Sequence, residues 1–339
     1  MFSWTTTARP IVALAPMAGV TDASYRQLIK RIAPEVIVYT EFLSTDAIHY
    51  GARKTMELLS FDAALERPFI VQVFGKDPEH FLSAAKVIEE LGADGIDINM
   101  GCPAAKVVSS CHGSALIRDP KLAAELVHAT VKAVKIPVSV KTRLGWECID
   151  TLIPFCKGLI EAGAQALAIH GRRYHDKFSG AANWDPIYEL KREVSVPVIG
   201  NGDIMSASDA VAKIGNLDGV MVGRGTFGNP WVMGEIVEAL RSAKGEVQSS
   251  KEGIFGTSHL ELGTSSQEPL KTPITFEEKI PWILEHCELA VRTKGEKRGM
   301  LEMRRHLASY VKGVEGAKEM REKLVRAERI DDVKAVICR

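Results

Sequence analysis

The sequence predicts an α/β fold, a (β/α)8 TIM barrel of eight parallel strands followed by a small C-terminal helical bundle. Eight short β-branched runs recur along the first two thirds of the chain, and amphipathic helical stretches lie between most of them. Apolar strands joined by helical crossovers indicate a parallel sheet that is covered on both faces. Eight such strands over about 225 residues favour closure into a barrel. The expected parts are a catalytic barrel (1–243), a linker (244–275) and a helical domain (276–339).

The strands are predicted where apolar and β-branched residues run without interruption, and the helices where apolar residues recur with helical spacing. The predicted strands are 11–15, 36–40, 69–73, 95–100, 137–141, 166–170, 197–200 and 219–223. The predicted barrel helices include 78–91, 120–134, 152–162, 186–194, 207–214 and 229–243. Gly92, Gly163 and Gly215 are placed to end three of these helices.

The C-terminal part begins after a stretch rich in Gly, Ser, Thr and Lys without hydrophobic periodicity, which predicts a linker over 244–275. From Phe276 the apolar residues again share one helical face, and 300–311 and 317–327 predict two further helices. This pattern indicates a small helical bundle.

Composition excludes several classes of protein. The longest apolar runs, such as 11–18, are shorter than the roughly 20 residues that span a bilayer, and the N-terminus lacks the pattern of a signal peptide. Six cysteines without CxxC pairs predict reduced thiols and no metal site. We therefore expect a cytoplasmic protein without a membrane partner, and a monomer, because every apolar stripe has a use within the chain.

The charge is balanced overall but not along the chain. Lys and Arg number 43, as do Asp and Glu, so a generic polyanion binder is not indicated. The part from 276 onward nevertheless carries 15 basic and 12 acidic residues. Its basic residues cluster on helical sequence at Arg292, Lys294, Lys297, Arg298, Arg304 and Arg305. Composition alone leaves a solvated helix surface and a polyanion-binding surface equally open.

Polar residues collect at the predicted C-terminal strand ends, where parallel barrels hold their active sites. Cys102 follows the fourth strand in a Gly-Cys-Pro turn that should leave its thiol open, which makes it a candidate catalytic residue. Glycine turns at Asn201-Gly202-Asp203 and Gly223-Arg224-Gly225 occupy the positions at which barrels bind phosphate. Lys141 and His170 suit the anionic N1–C2=O edge of a flavin, and Gln72 its imide edge.

Residues 11–231 resemble the dihydrouridine synthase family, flavoenzymes that reduce uridine in tRNA, most closely its bacterial DusB-like branch. The matching motifs are Ala-Pro-Met-Ala-Gly-Val-Thr-Asp (15–22), Val-Gln-Val-Phe-Gly (71–75), Asp-Ile-Asn-Met-Gly-Cys-Pro (97–103), Gly-Ser-Ala-Leu (113–116), Val-Lys-Thr-Arg-Leu-Gly (140–145), Ile-His-Gly-Arg (169–172) and Asn-Gly-Asp-Ile (201–204). The resemblance implies FMN bound by Pro16, Met17, Ala18, Gln72, Lys141, His170, Asn201, Gly202, Asp203, Gly223 and Arg224.

The resemblance also implies roles for the residues around the substrate. Cys102 would be the proton donor, with Asn99 and Arg143 near the uracil, and NADPH or NADH would be the reductant. The segment 302–310 is similar to the family's basic helix motif, which implies tRNA contacts from Lys297, Arg298, Arg304 and Arg305. In the implied reaction, hydride from flavin N5 adds at C6 of uracil and a general acid protonates C5. A thiol with a free pKa of about 8.5 is mostly protonated near neutral pH and can serve as that acid.

Two alternatives share much of this pattern. One is a barrel flavoenzyme acting on a free pyrimidine, of the dihydroorotate or dihydropyrimidine dehydrogenase type, against which the basic tail argues. The other is an RNA-binding barrel without turnover, against which Cys102, Lys141, His170 and Arg224 together argue.

Cys111 receives no role, and the remaining cysteines, Cys148, Cys156, Cys287 and Cys338, are expected to be inert packing residues on helices.

Overall fold

A computed structural model describes residues 2–243 and 275–338, so the predicted linker lies, apart from Thr275, outside the described residues. The described chain contains nine strands, all paired in parallel. They are β1 (Ile11–Leu14), β2 (Val38–Tyr39), β3 (Leu43–Ser44), β4 (Phe69–Phe74), β5 (Gly95–Met100), β6 (Val138–Arg143), β7 (Ala166–His170), β8 (Val198–Asn201) and β9 (Gly219–Val222).

The sheet closes into a barrel, as predicted. Its order is β1-β9-β8-β7-β6-β5-β4-β2, with the short β3 pairing beside β4. A bridge between Ala13 and Ile37 joins the two ends of this order. Leu14 N–H donates to Ile37 C=O at 2.9 Å, and Ile37 N–H to Val12 C=O at 3.0 Å.

The helices around the barrel follow the predicted alternation. The described ones are α1 (Ala23–Ile32), α2 (Thr45–His49), α3 (Arg53–Leu58), α4 (Pro78–Glu90), α5 (Ala105–Val108), α6 (Pro120–Ala133), α7 (Leu152–Glu161), α8 (Asp185–Glu193), α9 (Ala207–Ile214) and α10 (Val232–Ala243). Short 3-10 helices cover Gly113–Arg118 and Arg224–Thr226. The amphipathic α1 and the short α2, α3 and α5 were not individually predicted. The side chain of Asp22 caps α1 by accepting from Tyr25 N–H at 2.9 Å.

Alternation along the strands decides which side chains reach the interior. In β5, Ile96 and Ile98 face the helices and belong to the large outer core, whereas Asp97 and Asn99 lie on the opposite face. An inner core of mostly small and medium apolar residues, together with Trp4 and Tyr39, fills the lower barrel. The polar inward positions therefore lie nearer the C-terminal ends of the strands.

The C-terminal helices pack on the α1 side of the barrel. They are α11 (Phe276–Lys294), α12 (Glu296–Tyr310), α13 (Ala317–Leu324) and α14 (Ile330–Ile337), of which α14 was not predicted. Lys294 pairs with Asp22, Arg31 with Glu285, and Arg292 donates to Gln27. A buried aromatic cluster, Tyr25, His286, His306 and Tyr310, fills the junction.

The cysteine predictions are half correct. Cys156 in α7 and Cys287 in α11 are buried, as predicted. The prediction for Cys148 and Cys338 is wrong, because both are exposed, Cys148 in the loop after β6 and Cys338 just beyond α14.

Among residues 2–243 and 275–338, no helix is long and apolar enough to cross a membrane. No group of three or more metal-ligand side chains gathers within those ranges either.

Candidate active site

A cavity of about 550 Å³ opens at the C-terminal ends of the strands, a size typical of small-ligand sites. It gathers every predicted site residue of the barrel except Gln72. Its lining includes Pro16, Met17, Ala18, Asn99, Cys102, Lys141, Arg143, His170, Asn201, Gly202, Asp203, Gly223 and Arg224.

Cys102 is held at the cavity wall by the side chain of Asn99. The Asn99 carbonyl oxygen accepts from the N–H groups of Gly101 at 3.1 Å and Cys102 at 2.9 Å. The thiol is half-buried, and burial raises the pKa of Cys102, while Arg143 and Lys141 oppose that rise. The side chain is therefore a neutral thiol at neutral pH, able to donate a proton.

Gln72 lies beneath the cavity rather than on its wall. It is fully buried, donates to Asp97 at 2.7 Å and accepts from the Asn99 amide at 2.9 Å. Asp97 also accepts from Ser139 at 2.7 Å, and burial raises the pKa of Asp97 to about 6. Hydrogen bonds thus run from Asp97 through Gln72 and Asn99 to the turn of Cys102. Sequence reasoning missed Asp97, although a carboxylate within an apolar strand was a usable signal.

The neighbouring strands β6 and β7 bring cationic and hydrogen-bonding groups to the cavity. The Lys141 ammonium donates to Asn201 at 3.1 Å, and burial, with Arg143 nearby, lowers the pKa of Lys141 to about 8. Burial and the surrounding cations hold the pKa of His170 far below its ordinary value, so its imidazole is neutral. Arg172 approaches His170 Nε2 at 3.3 Å, and because arginine only donates, the imidazole proton lies on Nδ1.

Nε and Nη1 of Arg143 donate to backbone carbonyls. It donates to Gly101 at 2.7 Å, Lys177 at 2.7 Å and Arg173 at 3.1 Å, which ties the loop after β7 to the turn before Cys102. Beside it stands Phe178, which is 57% exposed at the cavity mouth. The guanidinium carbons of Arg143 and Arg224 lie 5.4 and 5.5 Å from the Phe178 ring. Sequence reasoning missed Phe178, because nothing in an irregular loop indicates which aromatic reaches the cavity.

Two glycine turns form one end of the cavity. The N–H groups of Gly202, Asp203, Gly223, Arg224 and Gly225 donate to no acceptor among the described residues. The Asp203 carboxylate binds Arg172 at 2.6 Å and Arg224 at 3.0 Å. A Cβ on Gly225 would lie 2.3 Å from the Ile204 carbonyl oxygen, so only glycine lets the turns touch. Free N–H groups beside a guanidinium make an anion site.

The predicted basic residues of the tail are distributed over several contacts. Arg298 pairs with Glu57 of the barrel at 3.1 Å and with Glu302 at 2.9 Å. Arg304 donates to the backbone carbonyls of Ala327 at 3.2 Å and Arg326 at 3.5 Å.

Arg305 donates to the Gly19 carbonyl at 3.1 Å. Lys297 is exposed and pairs with no acidic group among the described residues. Part of the predicted basic face is thus an interface between the helices and the barrel.

Comparison with known proteins gives consistent matches over most of the chain. A sequence model of the family described as dihydrouridine synthase (Dus) matches residues 13–337. The chain is 36% identical to a probable tRNA-dihydrouridine synthase 1 of Synechocystis sp., covering 96% of this chain and 85% of the relative. It is also 36% identical to tRNA-dihydrouridine synthase B of Pseudomonas aeruginosa, covering 94% and 89%.

Among solved structures, the chain resembles a 2-naphthoyl-CoA reductase in complex with 2-naphthoyl-CoA. The TM-score is 0.53 at 12% sequence identity, covering 67% of this chain and 50% of the other. At this level of identity the likeness supports the barrel fold alone.

Proposed function

Because the chain belongs to the dihydrouridine synthase family, we propose that it is an FMN-dependent enzyme that reduces the C5=C6 bond of uridine in tRNA. NADPH, or NADH in its place, would supply the electrons. The observation that carries the proposal is one cavity that brings together a neutral, half-buried thiol, the cations Lys141 and Arg143, and a glycine-lined anion site.

The glycine turns fit the phosphate of FMN. The unpaired N–H groups at Gly202, Asp203 and at 223–225 would bind the phosphate oxygens, and Arg224 would add a charge-assisted bond. Asp203 forms salt bridges with both Arg224 and Arg172. These three side chains carry a net charge of +1, which favours an anionic ligand.

The rest of the cavity fits the flavin ring. Met17 and its neighbours give an apolar wall, while Lys141 and the Nδ1–H of His170 suit the electron-rich N1–C2=O edge. Reduced FMN, when bound, supplies the hydride that adds to C6 of the uracil. Gln72 is held by Asp97 and Asn99, which favours a role in positioning Asn99 over a direct flavin contact.

Cys102 would deliver the proton to C5 of the uracil from its neutral thiol. Asn99 holds the turn that presents the thiol, and Arg143 braces the same turn through the Gly101 carbonyl. Carbonyls hold Nε and Nη1 of Arg143, while its Nη2 contacts no acceptor among the described residues and can donate to the uracil.

A uridine in folded RNA must leave its stack to enter this cavity, so the protein needs contacts to the phosphate backbone. Lys297 and the exposed parts of Arg298 and Arg305 on α12 are the proposed contacts. Arg304 is better explained as an anchor for the 326–327 backbone.

The test is to incubate the purified protein with NADPH and tRNA that lacks dihydrouridine, then digest the RNA for mass spectrometry. A gain equal to two hydrogen atoms on uridine is expected, and fragment mapping locates it. Reduction of free uracil or orotate, without reduction of tRNA, would favour the free-pyrimidine alternative. A protein that binds tRNA but no flavin would favour the non-catalytic one.

Replacing Arg224 by alanine should weaken FMN binding about tenfold or more, because a hydrogen bond to a charged phosphate contributes about 1.5–3 kcal/mol. Riboflavin, which lacks the phosphate, should bind the variant and the wild type equally. Flavin fluorescence quenching on the apoprotein measures both affinities. Equal losses for FMN and riboflavin would place the phosphate elsewhere.

A further inference from the structure

Helix α12 contacts the cavity turn formed by residues 16–19. The Arg305 guanidinium donates to the Gly19 carbonyl at 3.1 Å, and the Gly19 N–H donates to the Glu41 carboxylate. Both backbone polar groups of Gly19 are thus held by side chains, one of which comes from the helical domain. Because Pro16, Met17 and Ala18 line the cavity, this contact lies next to the proposed flavin wall.

The backbone at Gly19 is shaped for this contact. Its φ of +69° lies in the left-handed region, and a Cβ there would come within 2.5 Å of the Arg305 Nη1 atom. A side chain at residue 19 would therefore displace the guanidinium. The other end of the turn is fixed separately, because Met17 N–H donates to the Thr21 hydroxyl at 3.0 Å.

Helix α12 also supports the glycine turn at 223–225, through the intervening side chain of Tyr25. His306 stacks on Tyr25 with ring centroids 5.0 Å apart, and the Tyr25 hydroxyl donates to the Thr226 carbonyl at 2.6 Å. Thr226 in turn donates through its N–H and its hydroxyl to the Gly223 carbonyl, each at 2.9 Å. Helix α12 therefore contacts the 16–19 turn directly and the 223–225 turn indirectly, through Tyr25.

We propose that Arg305 is a positioning residue for the cofactor site: it fixes the 16–19 turn, and the helical domain thereby raises the affinity of the barrel for the flavin. The identity of the flavin rests on the proposed function, whereas the contact itself does not. Since Nε and Nη2 of Arg305 contact no acceptor among the described residues, a phosphate of the RNA can bind the same guanidinium. RNA and cofactor binding then become coupled, and the coupling is reciprocal.

The test compares Arg305→Ala with wild type in the full-length apoprotein. FMN affinity should fall about five- to tenfold, less than for loss of a direct charged contact, because Arg305 acts on the flavin only through the 16–19 turn. Amide hydrogen exchange of residues 16–21, measured without FMN, should become faster. Arg305→Lys should restore part of both effects, since an ammonium can still donate to one carbonyl. Gly19→Ala should reproduce the loss by displacing the guanidinium.

The matched control is Arg321→Ala, an exposed arginine of the same domain whose guanidinium contacts only its own helix at Ala317. It should change neither FMN affinity nor the exchange of 16–21. Wild-type FMN affinity and unchanged exchange in Arg305→Ala would overturn the proposal. If wild-type protein itself bound no FMN, the proposed function would fail instead, and the exchange measurement would still decide whether Arg305 holds the turn.

Discussion

Replacing Cys102 by alanine is expected to slow uridine reduction in tRNA by about 10²–10⁴-fold, the usual contribution of a positioned general acid. Flavin binding and oxidation of NADPH should persist, because the contacts that hold the Lys141 ammonium and Arg224 of the glycine turns do not involve the Cys102 thiol. The measurement is the rate at which tRNA reoxidises the reduced, flavin-loaded enzyme in a single turnover. The separate rate of flavin reduction by NADPH serves as the reference.

The control variant is Cys111→Ala. Cys111 is an exposed thiol in the segment that follows the Cys102 turn, and no function is assigned to it. Because its side chain is exposed, replacing it by alanine should not disturb a packed contact. Equal loss of both half-reactions in Cys102→Ala would contradict the general-acid role and point to a damaged flavin site.

The pH dependence of the same step follows from the state of the thiol. The proton donor is active when neutral, and burial raises the pKa of Cys102. The single-turnover rate should therefore stay level through neutral pH and fall only as the pH rises through that elevated pKa. A rate that increased towards alkaline pH would indicate a thiolate acting as base or nucleophile instead.

The barrel and most of its site were predictable because strand periodicity determines both. Once strands end at Met100, Arg143, His170 and Asn201, parallel packing brings their polar termini to one mouth whatever the loops do. The β-branched runs and the glycine turns are local features that can be read from neighbouring residues alone. The cavity accordingly contains Cys102, Lys141 and both glycine turns, as predicted.

What could not be predicted depends on long-range partners. Gln72 was assigned to the cavity, yet its inward position lies one layer below the mouth, where Asp97 and Asn99 satisfy its amide. Spacing in the sequence indicates the face of a strand but not the depth at which a side chain ends. Likewise, helical spacing grouped the arginines of the helical domain on one surface. In the structure, Arg298 pairs with Glu57, Arg304 donates to the Ala327 carbonyl and Arg305 donates to the Gly19 carbonyl.

Replacing Lys141 by methionine should slow the reduction of the flavin by NADPH by about 10²–10³-fold, the effect of removing one preorganised charge from a site where negative charge develops. The ammonium is the charged group proposed for the N1–C2=O edge, because His170 is neutral and carbonyls hold Nε and Nη1 of Arg143 beside the Cys102 turn. Stopped-flow absorbance of the flavin measures the rate. Lys86→Met, at an exposed position of α4, is the matched control.

The pH dependence of FMN affinity should distinguish the effect of the Lys141 charge from that of the size of its side chain. Burial, and to a smaller extent the charge of Arg143, lowers the pKa of Lys141 to about 8 in the cofactor-free protein. The Lys141 cation is therefore present below that pH and lost above it. FMN affinity of the wild type should therefore fall as the pH rises through about 8, because binding of an anionic ligand then requires uptake of a proton. In Lys141→Met this pH dependence should disappear and affinity should stay low. A variant that kept the wild-type pH profile would show that another group, and not Lys141, carries the charge at the flavin edge.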